Sequence, residues 1–266
     1  MKKTIKRMKI LLSLAAMLLP LCVNGQNLPR TERSDCNLDG TFGMDDLTAL
    51  INYLVFGSWN DYPADLQRDT VTVNGVSFVM VKVDGGSYTL EEGVTATVGN
   101  FWIGQMEVTQ ELWIAVMGSN PSYYPSPLNP VNNVTWDECQ SFISQLNGLT
   151  GKTFRLPTSI EWEWAARGGN HSRGYEYAGS NNPDLVAHYN KSHGESNDVG
   201  LLKPNELDLY DMSGNIAEWC QNMWNGDSSD HIIRGGSYGW GVENCRITWV
   251  SHNKGKQRVV GLRLVM

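Results

Sequence analysis

The sequence has 266 residues, 21 Lys and Arg against 28 Asp and Glu, and a hydrophobic share of 41%, enough apolar mass for the core of one or two domains. Extended disorder and collagen-like repeats are thereby excluded. With 27 Gly, 10 Trp, 10 Tyr and only 18% charged residues, the composition suits a turn-rich globular fold packed on aromatic rings rather than a helical bundle. The excess of acid also argues against a nucleic-acid partner, since an acidic surface repels phosphate.

At the start of the chain, Lys2, Lys3, Lys6, Arg7 and Lys9 precede an apolar run from Ile10 to Leu21 and then Val23-Asn24-Gly25. Basic, apolar and small-residue zones in that order predict a secretory signal peptide over residues 1–25, with cleavage near Gly25 and a mature chain beginning at Gln26. The apolar run is short for a bilayer, and no later stretch approaches the ~20 apolar residues of a membrane helix. A secreted, periplasmic or cell-surface location is expected. Cys22, preceded by Leu21, offers the alternative of lipoprotein anchoring. Without the five leader cations, 16 of the 21 basic residues face all 28 acids.

Next comes Asp35-Cys36-Asn37-Leu38-Asp39-Gly40-Thr41-Phe42-Gly43-Met44-Asp45-Asp46, running into Leu47, Leu50, Ile51 and Leu54 at helical spacing. Oxygen side chains of Asp35, Asn37, Asp39 and Asp46 fall at loop positions 1, 3, 5 and 12. Gly40 supplies the turn at position 6 and the Thr41 carbonyl position 7, the spacing of a calcium loop. The segment, residues 31–58, resembles a single dockerin-type repeat, in which an Asp takes the twelfth place. That resemblance implies Ca²⁺ and a possible cohesin-like partner through residues 35–54. An Asp/Asn-rich turn before an ordinary helix is the alternative.

Residues 59–70, with Tyr62-Pro63-Ala64-Asp65, read as a linker. Val71 and Val73, then Val76, Phe78 and Met80, flank Asn74-Gly75, a strong hairpin signal. Thr135-Trp136-Asp137-Glu138 and Thr158-Ser159-Ile160-Glu161 are capping boxes that predict helix starts. The first leads into Cys139, Phe142, Ile143 and Leu146, and the second carries Trp162, Ala165 and Ala166. A weaker helix is expected over Thr109 to Met117.

From residue 71 to 266 a series of short motifs then follows in order. It includes Gly85-Gly86-Ser87, Glu107-Val108-Thr109, Val134-Thr135-Trp136-Asp137, Arg155-Leu156-Pro157-Thr158, Leu209-Tyr210-Asp211-Met212, Ser213-Gly214-Asn215, Glu218-Trp219, Arg234-Gly235-Gly236-Ser237, Cys245-Arg246 and Gly261-Leu262-Arg263. The series resembles the formylglycine-generating enzyme, or sulfatase-modifying factor, superfamily. The resemblance implies an α+β, C-type-lectin-like domain with little regular secondary structure, preceded here by the calcium loop and helix.

In members that make formylglycine, the resemblance implies copper held by two active-site cysteines. The second matches Cys245 and the nearby serine matches Ser237, but Trp240 stands at the first, and Ala217 stands where the enzymes have tryptophan. A single thiolate holds copper(I) weakly. The family's calcium site matches Asp211, Gly214, Ile216 and Glu218, two carboxylates and two carbonyls in a tight turn. A turn merely capped by Asp211 is the alternative. By family topology Cys220 is the nearest disulfide candidate for Cys245, against free buried thiols or a metal or redox role for Cys245. Cys139 sits on an apolar helix stripe, and Cys36 at a non-ligating loop position.

Other signals carry less. No CxxC spacing suggests zinc, and Gly235-Gly236 lacks the Lys of a phosphate loop. His171, His188, His193, His231 and His252 fall in polar stretches and read as solvated loop residues. Arg155, Glu161, Glu163 and Arg167 read as structural ion pairs around a helix. Asn133-Val134-Thr135 and Asn190-Lys191-Ser192 fit a glycosylation sequon. Two function classes follow: an exported, calcium-stabilised module that binds a protein or glycan, and an oxidoreductase acting on a cysteine of a sulfatase or other protein through Cys245 and Ser237.

Overall fold

The computed structural model describes residues 66–266 except 92, 192 and 193. The described residues belong to the second of the chain's two units, Tyr62–Met266. The signal-peptide and calcium-loop expectations lie outside the described residues.

The second unit is a mixed α/β domain with few helices. β1 (Arg68–Val73) and β2 (Val76–Val83) form the expected hairpin. Asn74 and Gly75 both take positive φ, 48° and 86°, as a two-residue type I′ turn requires. β5 (Phe101–Gly104) completes an antiparallel three-stranded sheet. The ribbon β3 (Gly86–Thr89) with β4 (Thr95–Val98) lies between them in sequence.

Three helices follow: α1 (Gln110–Met117), α2 (Trp136–Thr150) and α3 (Ser159–Ala166). Each begins at the threonine its sequence marks. Thr109 Oγ1 accepts from Leu112 N, and both capping boxes close with Glu138 and Glu161. Such a cap stabilises a helix by about 1 kcal/mol, which matters for helices of eight residues. No helix among the described residues is long and apolar enough to cross a membrane.

The C-terminal half contributes β8 (Ala217–Trp224), β9 (Asp227–Arg234), β10 (Val250–Asn253) and β11 (Val260–Gly261). They form a four-stranded sheet in the order β10-β9-β8-β11. Asn225 and Gly226, φ 50° and 77°, turn β8 into β9, a hairpin carrying the same signal as Asn74-Gly75. Between α3 and β8 lies a short parallel pair, β6 (Ala187–His188) with β7 (Ser213–Gly214). The last residues then stitch the halves together: Trp102 and Met266 exchange both backbone hydrogen bonds, and so do Arg155 and Val265.

Two main apolar clusters result. One packs α1 and α2 on the hairpin and on β8 and β9, with Trp113 stacked on Phe142 at 4.8 Å. The other surrounds Trp162 of α3 with Val81, Ile103, Leu209, Met212 and Cys220. Beneath α3, Glu163 is buried between Arg167 and Arg234, each at 2.7 Å, while Glu161 pairs with Arg155 at 2.6 Å. These are the structural ion pairs the sequence suggested, with Arg234 as the added partner.

Candidate functional site

The loop that the resemblance marks for copper is shaped by glycine. Gly235 and Gly236 take φ of 92° and 73°, and a Cβ on Gly236 would lie 2.5 Å from the Asn244 carbonyl oxygen. Residues 236–237 therefore run against Asn244 and Cys245. Ser237 and Cys245 are both fully buried. Cys245 closes a 3-10 turn over Val242–Cys245 and packs with Tyr177, Val186, Ala187 and Tyr189. Burial pushes its thiol up to about 12, Glu243 adds to the rise, and the Ser237 N–H opposes it. At neutral pH and without a metal this sulfur is a thiol rather than a nucleophilic thiolate.

Trp240 is half-buried and tilts on Trp249 at 5.4 Å, while Ala217 is wholly buried in β8. Cys139, Cys220 and Cys245 are all free and lie in three different clusters. The suggested Cys220–Cys245 disulfide is thus not formed, because Cys220 points into the Trp162 cluster. One buried thiol without a second cannot make a copper dithiolate, so the residues present do not fit that ion.

The turn marked for calcium is held differently. Asp211, Gly214 and Asn215 all have positive φ, and a Cβ on Gly214 would collide with the His188 backbone. Asp211 Oδ2 accepts from Gly200 N at 2.7 Å. Glu107, from the Glu-Val-Thr segment before α1, accepts from Asn215 Nδ2 at 2.6 Å and Ile216 N at 3.1 Å. Glu218 takes both donating arms of Arg263, at 2.8 to 3.1 Å, and Trp162 Nε1 at 2.6 Å. Arg263 also donates to the carbonyls of Gly104, Gln105 and Tyr210.

Three buried carboxylates, Glu107, Asp211 and Glu218, thus surround one buried guanidinium. Burial raises Asp211 to about 6, and burial reinforced by Asp211 and Glu218 pushes Glu107 well above the usual carboxylate range. Among the described residues no three His, Cys, Asp or Glu side chains converge as a metal site by themselves. A cation in this turn would draw on Asp211 and the Gly214 and Ile216 carbonyls, sharing Glu218 with Arg263. The set fits a hard divalent ion in donor type, with Glu218 already engaged by Arg263 and Trp162.

The histidines depart from expectation in part. His231 is buried, stacked on Trp136 at 4.1 Å with its edge to Trp219. His252 lies in β10, stacked on Trp224 and bonded through Nδ1 to the buried Asp230 at 2.8 Å. His188 is half-buried in β6 beside Asn197. Only His231 is taken out of solvent by aromatic neighbours distant in sequence, while His252 stays exposed despite its ring contact. His171, at the end of a 3-10 turn, and His252 are both exposed, as expected, and His193 lies outside the described residues.

Beside the Ser237–Cys245 loop, Tyr123 and Tyr124 pack edge to face at 4.7 Å, and the Arg258 guanidinium lies 4.3 Å over the Tyr123 ring. The Tyr238 hydroxyl donates to the Arg258 carbonyl at 3.3 Å. Burial raises the Tyr238 pKa, with Arg258 lowering it and Tyr124 and Glu195 adding to the rise. No single sequence motif spans this face, although its Ser237–Cys245 side belongs to the motif series. The runs Ser-Tyr-Tyr and Ser-Tyr-Gly-Trp were its other local signal.

A family model for the sulfatase-modifying factor enzyme 1-like domain matches residues 60–266. The chain belongs to this family. A relative from Paenibacillus barcinonensis named chaperone protein LppX is 31% identical over 241 residues, covering 65% of this chain and 83% of its own. The formylglycine-generating enzyme of Thermomonospora curvata is 30% identical over 128 residues, and the match spans 43% of this chain and 40% of that enzyme. Among solved structures, Treponema denticola variable protein 1 superposes with a TM-score of 0.68 at 27% identity, covering 74% of this chain and 98% of its own. The sulfatase-modifying factor fold is therefore kept, while Trp240 and Ala217 stand at two of its expected active-site positions.

Proposed function

We propose that the chain is an exported binding or scaffold module on a sulfatase-modifying factor fold, stabilised by Ca²⁺ and without copper chemistry. The observation that carries this reading is Trp240 in place of one expected thiol, with the other, Cys245, buried and protonated. A rigid frame that presents long loops suits recognition. The name of the Paenibacillus relative, a chaperone, supports protein rather than small-molecule contact.

The test is incubation of a sulfatase-type cysteine peptide with copper-treated protein and oxygen, read by mass spectrometry. No aldehyde is expected. Aldehyde that forms with the native chain and vanishes in Cys245→Ser would overturn the reading in favour of the oxidoreductase.

Export rests on residues 1–25, and the intact mass of protein recovered from outside the cytoplasm checks it. A mass beginning at Gln26 is expected. Retention of the leader, or a diacylglyceryl group on Cys22, would refute cleavage near Gly25. The loop of Asp35, Asn37, Asp39, Thr41 and Asp46 supplies the other proposed Ca²⁺ site and, through residues 35–54, a surface for a cohesin-like partner.

A further inference from the structure

Two loops of distinctive composition meet beside Arg258. Residues 119–126 read Ser-Asn-Pro-Ser-Tyr-Tyr-Pro-Ser, and residues 236–241 read Gly-Ser-Tyr-Gly-Trp-Gly. Tyr, Ser, Gly and Asn with occasional Trp and Arg are what antibody binding loops use. A ring offers a large amphipathic contact for two torsions, and small polar residues adapt their hydrogen bonds. Tyr123 is 53% and Tyr124 39% exposed, so the fold does not consume these rings.

Arg258 adds charge to that surface. It is exposed, its guanidinium is laid on Tyr123, and no carboxylate lies within ion-pair distance of it among the described residues. Its neighbours are committed: Lys254 pairs with Asp227 and Lys256 with Glu138, each at 2.7 Å. In a chain of net charge −7, a cation laid on an exposed aromatic ring without an acidic partner is the local exception. A guanidinium already oriented by stacking loses little freedom when it takes a carboxylate through two parallel hydrogen bonds. Arg, Tyr and Trp are also the residues on which protein interfaces concentrate their energy.

We infer that this face binds a protein partner that presents an Asp or Glu side chain to Arg258 and an apolar or aromatic side chain to Tyr123 and Tyr124. The inference rests on the binding-module reading and adds the partner's chemistry to it. Glu195 lies near enough to Tyr238 to raise its pKa by charge, so an acid on the partner is favoured at Arg258 and opposed near Glu195. A uronic-acid sugar would satisfy the same cation, but the composition of the two loops favours a protein.

Selection of a random peptide library displayed on phage, against the full chain, tests it. The expected result is enrichment of peptides with Asp or Glu beside an aromatic residue. Their affinity should fall about thirtyfold or more in Arg258→Ala, as for an interface hot spot, and be lost in Tyr124→Ala. Arg258→Glu should turn the selection toward Lys and Arg. Peptides that need Tyr124 yet show no acidic preference, and are indifferent to Arg258→Ala, would overturn the inference and leave the binding reading standing. Failure to select any peptide sensitive to Tyr124→Ala or Trp240→Ala would overturn both. Polygalacturonate bound through Arg258 while no peptide is selected would overturn the protein partner. Arg258 is exposed, so unchanged melting of its variants separates these outcomes from misfolding.

Discussion

Arg263→Met is expected to destabilise the domain by about 3–5 kcal/mol, the cost of breaking a buried ion pair from one side. The side chain is fully buried and engages Glu218 along with three main-chain carbonyls. Methionine fills much of the volume but leaves Glu107, Asp211 and Glu218 with no positive charge among them. Those carbonyls lose their donors as well, each costing about 1–3 kcal/mol if no water replaces them. Against a total stability of about 5–15 kcal/mol, this approaches unfolding. Replacing Glu218 as well, in Arg263→Met/Glu218→Met, should recover part of the loss, because removing both charges costs less than stranding one. Urea denaturation of the three proteins decides it. A single variant within about 1 kcal/mol of the parent, near the median for point mutants, would mean the cluster is not held by this pair.

The same cluster shows where the sequence is legible and where it is not. Local grammar reads well: Asn74-Gly75 turns the hairpin, and Thr109, Thr135 and Thr158 start their helices. Each signal rests on bonds closed within four residues. Asn225-Gly226 follows the same rule, yet it is flanked by Met223, Trp224 and Asp227 rather than by alternating apolar residues, which hides the strands on either side. The site depends on distant partners. Glu218 and Arg263 are 45 residues apart, and Glu107 and Asn215 are 108 apart. Their motifs carry no sign that they meet. Burial of His231 is equally non-local, since Trp136 comes to it only when α2 packs on the C-terminal sheet. The chemistry of Cys245 illustrates the limit from the other side. Its position was readable from the motif series, but its inertness comes from the cluster around Tyr177 and Tyr189.

Calcium is expected to raise the melting temperature at neutral pH, by an amount that shrinks as pH falls. A ligand at about 100 times its dissociation constant stabilises the native state by ~2.7 kcal/mol, and a domain with three buried carboxylates around one guanidinium has charge for a divalent ion to offset. Burial holds Asp211 at about 6 in the folded chain, above the ordinary carboxylate value. A raised folded pKa means that the folded state favours the protonated acid, so without calcium this group's contribution is fully present below about pH 4. It is lost as pH rises through about 6. Calcium acts in the opposite sense, since it takes the ionised carboxylate, and its gain should be largest above pH 7 and small near pH 5. Asp211→Asn should therefore melt higher than the parent in chelator at pH 7.5 and lose most of the calcium response. Asp39→Ala reports separately on the loop of residues 35–46. Coincident melting of the parent in chelator and in millimolar calcium at pH 7.5 would remove the ion from both sites. A calcium response lost in Asp39→Ala but kept in Asp211→Asn would confine it to the N-terminal loop.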